Sequence, residues 1–350
     1  MKEEQVTMRP VVRWLITGCV LIACMVAIGG ITRLTGSGLS ITEWKPIMGA
    51  LPPMNESQWN EAFAKYKLVP EYALVNQRMD LEGFKRIFFW EYVHRNWGRL
   101  MGLVFIVPFA VFLRRGLLKG WLLRRTLAIM LGGGIVASLG WFMVLSGLVD
   151  LRDANGQLLV SVSHFRLAIH LTAAFAVFGL VWWTVLDLRE GRRSFAGDGG
   201  PAAGWMRALL ALLVLQIVYG AFTAGLDAGR IYNTWPLMNG QFIPENVRAF
   251  GDLVTDLTAH RDGVQFVHRN LAWLVAAAFM GAAVHHRRSA GMERAWRWLV
   301  AGVVVQFTLG VLTLVTHVDI ALGVAHQVGA LLLLAVCLVA VHGTGRRVAG

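Results

Sequence analysis

The sequence predicts an all-α integral membrane protein with eight transmembrane helices, arranged as two parallel-repeat four-helix bundles. Composition, eight apolar segments and an internal repeat lead to this fold. Of 350 residues, 56% are hydrophobic and 15% are charged, and the mean hydropathy is +0.55. Soluble chains carry about a quarter charged residues, so disordered, collagen-like and disulfide-rich secreted classes are excluded. The three cysteines lie inside apolar stretches and predict neither a disulfide nor a thiolate metal site.

Eight segments are long and apolar enough to cross a bilayer, which takes about 20 residues. The predicted spans are roughly 11–31, 88–113, 126–148, 164–187, 207–226, 264–284, 298–316 and 322–341. The first has too long an apolar core for a cleavable signal peptide, and no cleavage motif follows it. The connections 32–87 and 227–263 are long enough to fold over a site, and a short interfacial helix is expected around residues 56–67.

The distribution of Lys and Arg predicts the orientation of the chain. These residues are concentrated in the connections on the side of Met1, whereas the connections on the other side carry more Asp and Glu. By the positive-inside rule both termini are cytoplasmic. The net charge of +12 is then a topology signal, and no nucleic-acid partner is expected. The N-terminus MKEEQVTMRP is short and acidic, unlike a transit peptide, which predicts a bacterial cytoplasmic (inner) membrane.

The two halves of the chain resemble each other in the same order. EYVHRNWGRL at 91–100 matches QFVHRNLAWL at 265–274, and TGSGLSITEWKPIMG at 35–49 aligns with LDAGRIYNTWPLMNG at 226–240. Because each half holds an even number of spans, both halves enter the membrane from the same side, which makes the repeat parallel. The predicted units are an N-terminal half at 1–190, a cytoplasmic linker at 191–206 and a C-terminal half at 207–350.

Four histidines occupy matched positions within the predicted spans. Each lies a turn or two inside an even-numbered span, and every such span enters from the outer face: His94, His170, His268 and His326. With a rise of 1.5 Å per residue, the four rings fall in one layer near the outer leaflet. Ionisable side chains inside a membrane are costly and point to function. Four separate hydrogen-bonded helix contacts are the alternative.

Metal ligation is the favoured role for these histidines. Neither half supplies the cysteines or carboxylates that would complete a tetrahedral zinc or copper site. Two histidines on facing helices of a four-helix bundle can instead clamp a haem, which predicts one haem between His94 and His170 and another between His268 and His326. Further basic residues lie near these histidines. Arg95 and Arg269 are expected to pair with haem propionates or to reach lipid headgroups.

His164 and His317 are expected at the membrane interface, and contact of either with a haem is left open.

The two halves differ at one carboxylate. Glu91 lies three residues before His94 on the same helix face, and its counterpart in the repeat is Gln265. A carboxylate beside only one of two haem sites suggests that the N-terminal half does chemistry, with Glu91 exchanging protons or holding a water. Simple pairing of Glu91 with Arg95, its i+4 neighbour, is the alternative. A di-iron site is not favoured, because it needs a second Glu-x-x-His motif and two more acidic residues.

Several motifs together resemble the haem A synthase family of cytochrome oxidase assembly. They are GGITRLTGSGLSITEWKPIMGALPP, EYVHRNWGR, HLTAAF, YNTWPLMNG, FVHRN and AHQVGA, and they cover about residues 10–341. The resemblance implies a membrane oxidoreductase that converts haem O to haem A. In that reaction the C8 methyl group of the porphyrin becomes a formyl group through two successive hydroxylations and loss of water.

The resemblance also implies residue roles and partners. His268 and His326 match the pair that holds haem B, His94 and His170 match the pair at the substrate site, and Glu91 matches the acidic catalytic residue. The chain resembles the cysteine-free branch shared by proteobacteria and mitochondria. Haem O is the expected substrate, haem O synthase is a potential partner, and the electron donor, for which a ferredoxin is one choice, is not identified by any motif. A homo-oligomer is left open.

Two other functions are considered. One is a di-haem b-type electron-transfer cytochrome, but such proteins commonly place haems near both membrane faces, whereas the four histidines here are predicted near one. The other is a haem transporter or chaperone without redox chemistry. The difference between Glu91 and Gln265 speaks against it, because simple binding does not require that asymmetry.

Overall fold

The computed structural model describes residues 2–45, 48–148, 162–196, 201–286 and 293–348, and the described chain is helical with two isolated β-bridges. Eight of its helices are long and apolar enough to cross a membrane, which confirms the predicted number of spans. They are α1 Lys2–Leu34, α4 Leu81–Arg114, α5 Gly120–Leu148, α6 His164–Glu190, α7 Pro201–Gly225, α9 Arg261–His286, α10 Glu293–Val315 and α11 Ile320–Gly343. The expected interfacial helix is present as α2, Glu56–Tyr66, and two short helices, α3 Pro70–Leu74 and α8 Leu253–Thr258, lie in the same long connections.

Four of the eight long helices form the centre of the protein. Helices α1, α6, α7 and α11 pack against one another, while α4 packs on α1, α5 on α6, α9 on α7 and α10 on α11. Burial follows this order, since 39% of the most apolar stretch of α6 is buried but only 6% of that of α5. The peripheral helices therefore present most of their apolar surface to the surroundings, as expected for helices in contact with lipid.

The connection between α6 and α7 differs from the predicted linker at 191–206. Helix α7 begins at Pro201, so the last six residues assigned to the linker are helical. Proline suits the first turn of a helix, because its missing N–H would have no intrahelical partner there. Of the remaining segment, residues 191–196 are non-helical and residues 197–200 lie outside the described part of the chain.

The two long connections lie on the same side of the molecule, which we call the loop face. The ends of α1 and α7 meet there, because Arg33 of α1 forms a 2.8 Å salt bridge with Asp227, just beyond α7. On this face, aromatic side chains of the first connection pack on the start of α4. Tyr66 stacks on Phe84 with ring centroids 5.4 Å apart, and Phe63 stacks on the same ring at 5.1 Å. This contact fixes the first connection over the start of α4.

On the opposite face, a buried carboxylate joins helices from both halves of the chain. Asp187 of α6 is 3.1 Å from Nε2 of His342 in α11 and 3.5 Å from the guanidinium of Arg125 in α5. A buried charge is stable only when it is paired and hydrogen-bonded. This cluster therefore ties α5, α6 and α11 together far from the four predicted ligand histidines.

Candidate haem-binding site

Each of the four histidines faces a glycine on the preceding long helix. A Cβ atom added at Gly140 or Gly310 would lie 2.9 Å from Cε1 of the facing ring, which belongs to His170 and His326 respectively. At the other two positions the corresponding distances are 3.2 Å, from Gly220 to His268, and 3.5 Å, from Gly29 to His94. Contacts below about 3.0 Å are not made by real Cβ atoms, so the glycines let these rings lie directly against a neighbouring helix.

The sequence pairs His94 with His170 and His268 with His326, and this pairing stays a prediction. In each predicted pair one ring lies on a peripheral helix and the other on a central one, α4 and α6 in the N-terminal half and α9 and α11 in the C-terminal half. All four residues are partly buried and retain some exposed surface. Two imidazoles per pair are a donor set that haem iron accepts.

The second ring nitrogen of three histidines has a hydrogen-bond partner. Nδ1 of His170 lies 3.0 Å from the carbonyl oxygen of Val136. In the C-terminal half the partners are side-chain amides: Nε2 of Gln216 lies 3.2 Å from Nδ1 of His268, and Nε2 of Gln306 lies 3.1 Å from Nδ1 of His326. Partners of this kind set the tautomer and orientation of a ligating histidine.

Glu91 is buried and accepts hydrogen bonds at both carboxylate oxygens. Oε2 accepts from the Ser40 hydroxyl and from the Ile41 backbone N–H, both at 2.7 Å. Oε1 accepts from Nε and Nη2 of Arg95, at 3.1 and 2.6 Å. The predicted pairing of Glu91 with Arg95 is thus present, and the carboxylate also anchors the start of the first long connection to α4.

Arg95 and Arg269 both hold the backbone of a long connection. Arg95 donates to the carbonyl oxygens of Ile41 (2.6 Å) and Glu43 (2.9 Å). Arg269 donates to four carbonyl oxygens of the second connection, at 2.9 to 3.3 Å: those of Tyr232, Thr234, Pro236 and Leu237. The arginines are thus directed at loop carbonyls, a role that the sequence reasoning missed. Pairing with propionates stays a prediction.

Gln265, the counterpart of Glu91, also contacts the loop. Its Nε2 donates to the carbonyl oxygen of Tyr232 at 3.1 Å, whereas Glu91 accepts from the N–H of Ile41, which aligns with Tyr232. Both side chains therefore anchor the same point of their connection, one as a donor and the other as an acceptor. Only Glu91 brings a negative charge and a titratable group.

The peripheral helices beside the two histidine pairs pack differently. In the C-terminal half, α9 and α10 meet through Trp273 and Phe307, whose ring centroids are 4.7 Å apart, and a cavity of about 140 Å³ lies between these helices. In the N-terminal half, the exposed apolar side chains of α5, such as Leu127 and Leu131, lie on the helix face opposite Val136 and Gly140, the two residues that contact the ring of His170.

His164 and His317 lie apart from both pairs. Nε2 of His164 is 3.0 Å from the carbonyl oxygen of Thr258, in the second long connection. His317 is exposed and adopts a left-handed backbone conformation (φ 57°) just after α10. Their placement at the membrane interface stays a prediction.

The sequence reasoning also missed a polar cluster in the first long connection. The Tyr66 hydroxyl donates to the Glu71 carboxylate (3.1 Å) and accepts from Nδ2 of Asn76 (2.7 Å). Burial raises the pKa of Glu71 to about 7, and the charge of Glu91 also raises it, whereas the bond from Tyr66 lowers it. Tyr66 is followed five residues later by Glu71, a spacing that gives no recognised signal.

Among the described residues, no group of three or more His, Cys, Asp or Glu side chains is arranged to hold a bare metal ion. The candidate donor atoms are instead the imidazoles of the four histidines. In the C-terminal half, each histidine partner also carries a buried amide oxygen without a hydrogen-bond partner, on Gln216 and Gln306. Imidazoles set against glycines, with unused acceptors beside two of them, fit a haem that two histidines would hold.

Fold and site together define a polytopic α-helical membrane protein with two histidine pairs between its helices. Residues 12–338 match the family described as cytochrome oxidase assembly protein, and the chain belongs to that family. It is 41% identical over 348 residues to a protein of Paramagnetospirillum magneticum, covering 97% of this chain and 95% of the relative. It is 44% identical over 344 residues to one from Flavobacterium psychrophilum (95% and 98%), and 45% identical over 332 residues to one from Caulobacter vibrioides (94% of each). All three relatives are named heme A synthase.

Proposed function

We propose that this protein is a haem A synthase, an oxidoreductase that acts on haem O. The C8 methyl group of haem O is hydroxylated twice, and loss of water from the resulting diol leaves the formyl group of haem A. The observation that carries the proposal is the similarity over nearly the full chain to proteins of that name. The two histidine pairs give the chain a place for one substrate haem and one resident haem.

The substrate haem is assigned to the N-terminal half (1–190) and haem B to the C-terminal half (207–350). The buried Glu91 near His94 supports this assignment, because its counterpart in the other half, Gln265, has no group that exchanges protons. The aromatic contact between Trp273 and Phe307 supports a retained cofactor in the other half. His268 and His326 would hold haem B, which would supply one-electron transfer.

His94 and His170 are assigned to the substrate haem, with Glu91 as the group that exchanges protons near it. Oxidation of a methyl group releases protons, and Glu91 is a buried carboxylate one helix turn before His94. Its hydrogen bonds from Ser40, Ile41 and Arg95 hold the carboxylate in one orientation. Proton transfer at Oε2 requires that the bond from the Ser40 hydroxyl be exchanged, so Ser40 is part of the same unit.

A second role for Glu91 follows from the same contacts. With Arg95, it anchors residues 40–43 of the loop face over α4. Arg269 and Gln265 anchor the second connection in a similar way. We assign to both arginines a role in closing the loop face over the haems, and contact with the propionates at that face is part of the proposal.

The proposed location is a bacterial inner membrane, with both termini cytoplasmic and the haem sites near the outer face. Lys and Arg flanking the opposite face support this orientation. Haem O synthase and an electron donor such as a ferredoxin are the proposed partners. A di-haem electron-transfer cytochrome is the second candidate, favoured by the similar environments of the two histidine pairs.

Haem extraction from the detergent-purified protein tests the proposal. Haem B together with haem O, haem A or a hydroxylated intermediate is the expected result by mass spectrometry. Haem B alone, in two equivalents and unchanged after haem O is supplied, would indicate the electron-transfer cytochrome.

The role of Glu91 is tested by comparing two variants. Glu91→Gln keeps an acceptor for Ile41 but removes the titratable group, and it should lower haem A output by roughly 100-fold or more while haem O still binds. Ser40→Ala removes one bond to the same carboxylate and should have a much smaller effect. Unchanged output from Glu91→Gln would show that Glu91 only anchors the loop.

A further inference from the structure

We infer that Gln216 and Gln306 are positioning residues for the haem of the C-terminal half: each holds one of its two ligand imidazoles through Nδ1 and supplies the acceptor that a ligated ring requires. The inference rests on the proposed function, because it takes His268 and His326 as haem ligands.

The two glutamines contact their histidines in the same way. Nε2 of Gln216 donates to Nδ1 and to the backbone carbonyl oxygen of His268, each at 3.2 Å. Nε2 of Gln306 donates to the same two atoms of His326, at 3.1 and 2.9 Å. Each glutamine also lies four residues before the glycine that faces the ring. The glutamine and the glycine, one helix turn apart, thus both contact the same histidine.

The N-terminal half lacks these amides. Met25 and Val136 occupy the positions that align with Gln216 and Gln306, four residues before Gly29 and Gly140. His170 bonds to the main-chain carbonyl of Val136 rather than to a side chain. Among the described residues, a side-chain hydrogen bond to Nδ1 of one of these histidines is therefore present only in the C-terminal half, in which a haem is proposed to stay.

The glutamines also influence which nitrogen of each histidine ring carries the proton. A ring whose Nδ1 accepts from an amide carries its proton on Nε2 and cannot use that nitrogen as a ligand. Ligation through Nε2 requires the proton on Nδ1, and hence an acceptor beside it. The amide oxygens of Gln216 and Gln306 are buried and have no hydrogen-bond partner. Rotation of the amide, which gives up its bond to the histidine carbonyl, brings that oxygen to Nδ1.

An acceptor at Nδ1 has two consequences for a bound haem. It prevents rotation of the ring, which slows ligand loss, and it makes the imidazole a stronger donor, which stabilises ferric iron and lowers the midpoint potential. The C-terminal haem would therefore be both retained and tuned by residues that never touch it.

The test uses variants of the full-length, haem-loaded protein. Gln216→Met and Gln306→Val introduce the residues of the N-terminal half, whereas Gln216→Glu and Gln306→Glu place an obligate acceptor at the same position. The matched control is Gln327→Met, because Gln327 follows His326 on α11 but donates to the carbonyl of Val26 in α1. The readouts are the midpoint potential of haem B, the g-values of its ferric low-spin signal and its rate of transfer to excess apomyoglobin.

We expect Gln216→Met and Gln306→Val to raise the midpoint potential and to speed haem B loss by roughly 10- to 100-fold. The glutamate variants should lower the potential and retain the haem, and Gln327→Met should change neither. If glutamate and apolar variants shift the potential in the same direction, or if Gln327→Met matches Gln216→Met, the inference is wrong. If the glutamate variants do not fold, the comparison of Gln216→Met with Gln327→Met decides.

These outcomes are distinct from failure of the proposed function. Wild-type protein without a low-spin haem B signal would overturn the assignment of the C-terminal half before any variant is made. A normal wild-type signal that no glutamine variant changes would overturn the inference alone.

Discussion

Gly310 and His326 touch so closely that no side chain fits between them: a Cβ atom at position 310 would lie 2.9 Å from Cε1 and 3.5 Å from Nδ1 of the ring. The same relationship holds between Gly140 and His170, with 2.9 Å to Cε1. In both cases the glycine provides space that a histidine ring occupies, rather than conformational freedom of the backbone.

Alanine at these glycines should therefore displace the rings. We expect Gly310→Ala to lower the content of low-spin haem B strongly, and Gly140→Ala to lower haem O binding, because each ring must turn away from the added methyl group. Gly29→Ala is the matched control, since its Cβ would lie at 3.5 Å, an ordinary contact distance. Haem content and visible spectra of the purified variants measure the effect. Equal losses in all three variants would contradict the explanation.

Removal of the Arg269 guanidinium should loosen the second long connection. In Arg269→Met, four carbonyl oxygens lose a charged donor, and one hydrogen bond to a charged group contributes roughly 1.5–3 kcal/mol. We expect faster hydrogen exchange in residues 231–241 while the exchange of α9 is preserved. Arg230→Met, at an exposed position on the same connection, is the control. Unaltered exchange in Arg269→Met would show that the loop is held by other contacts.

The first long connection should become less stable as the pH rises from about 4.5 to 7. The pKa of Glu71 is raised by burial from 4.5 to about 7, so folding favours its protonated form. That stabilisation is fully present below the unfolded pKa and is lost as the pH rises through the folded pKa. Protection factors of residues 56–76, which correct for the intrinsic pH dependence of amide exchange, should fall over this range in the wild type but change much less in Glu71→Gln. Glu61→Gln, at an exposed site on α2, should behave like the wild type.

Features that depend on local composition were predicted correctly. The eight spans were found because the bilayer fixes the length of apolar sequence needed for each helix. The interfacial helix at Glu56–Tyr66 followed from its short amphipathic segment. Helix α7 begins before the predicted span at 207–226, because Pro201, Ala202 and Ala203 form its first turn although they are not part of its long apolar run.

The sequence by itself determined that the chain is a multi-span membrane protein, which histidines lie within its spans and which family it belongs to, since apolar length and ordered motifs are local properties. Only the tertiary structure decided that α1, α6, α7 and α11 form the centre. It also decided that His94, His170, His268 and His326 each lie against a glycine, and that Glu91 is held by Ser40 and Arg95. These contacts join side chains tens of residues apart, and they depend on the rotation and depth of each helix. Packing sets both, and no periodicity within a single segment specifies them.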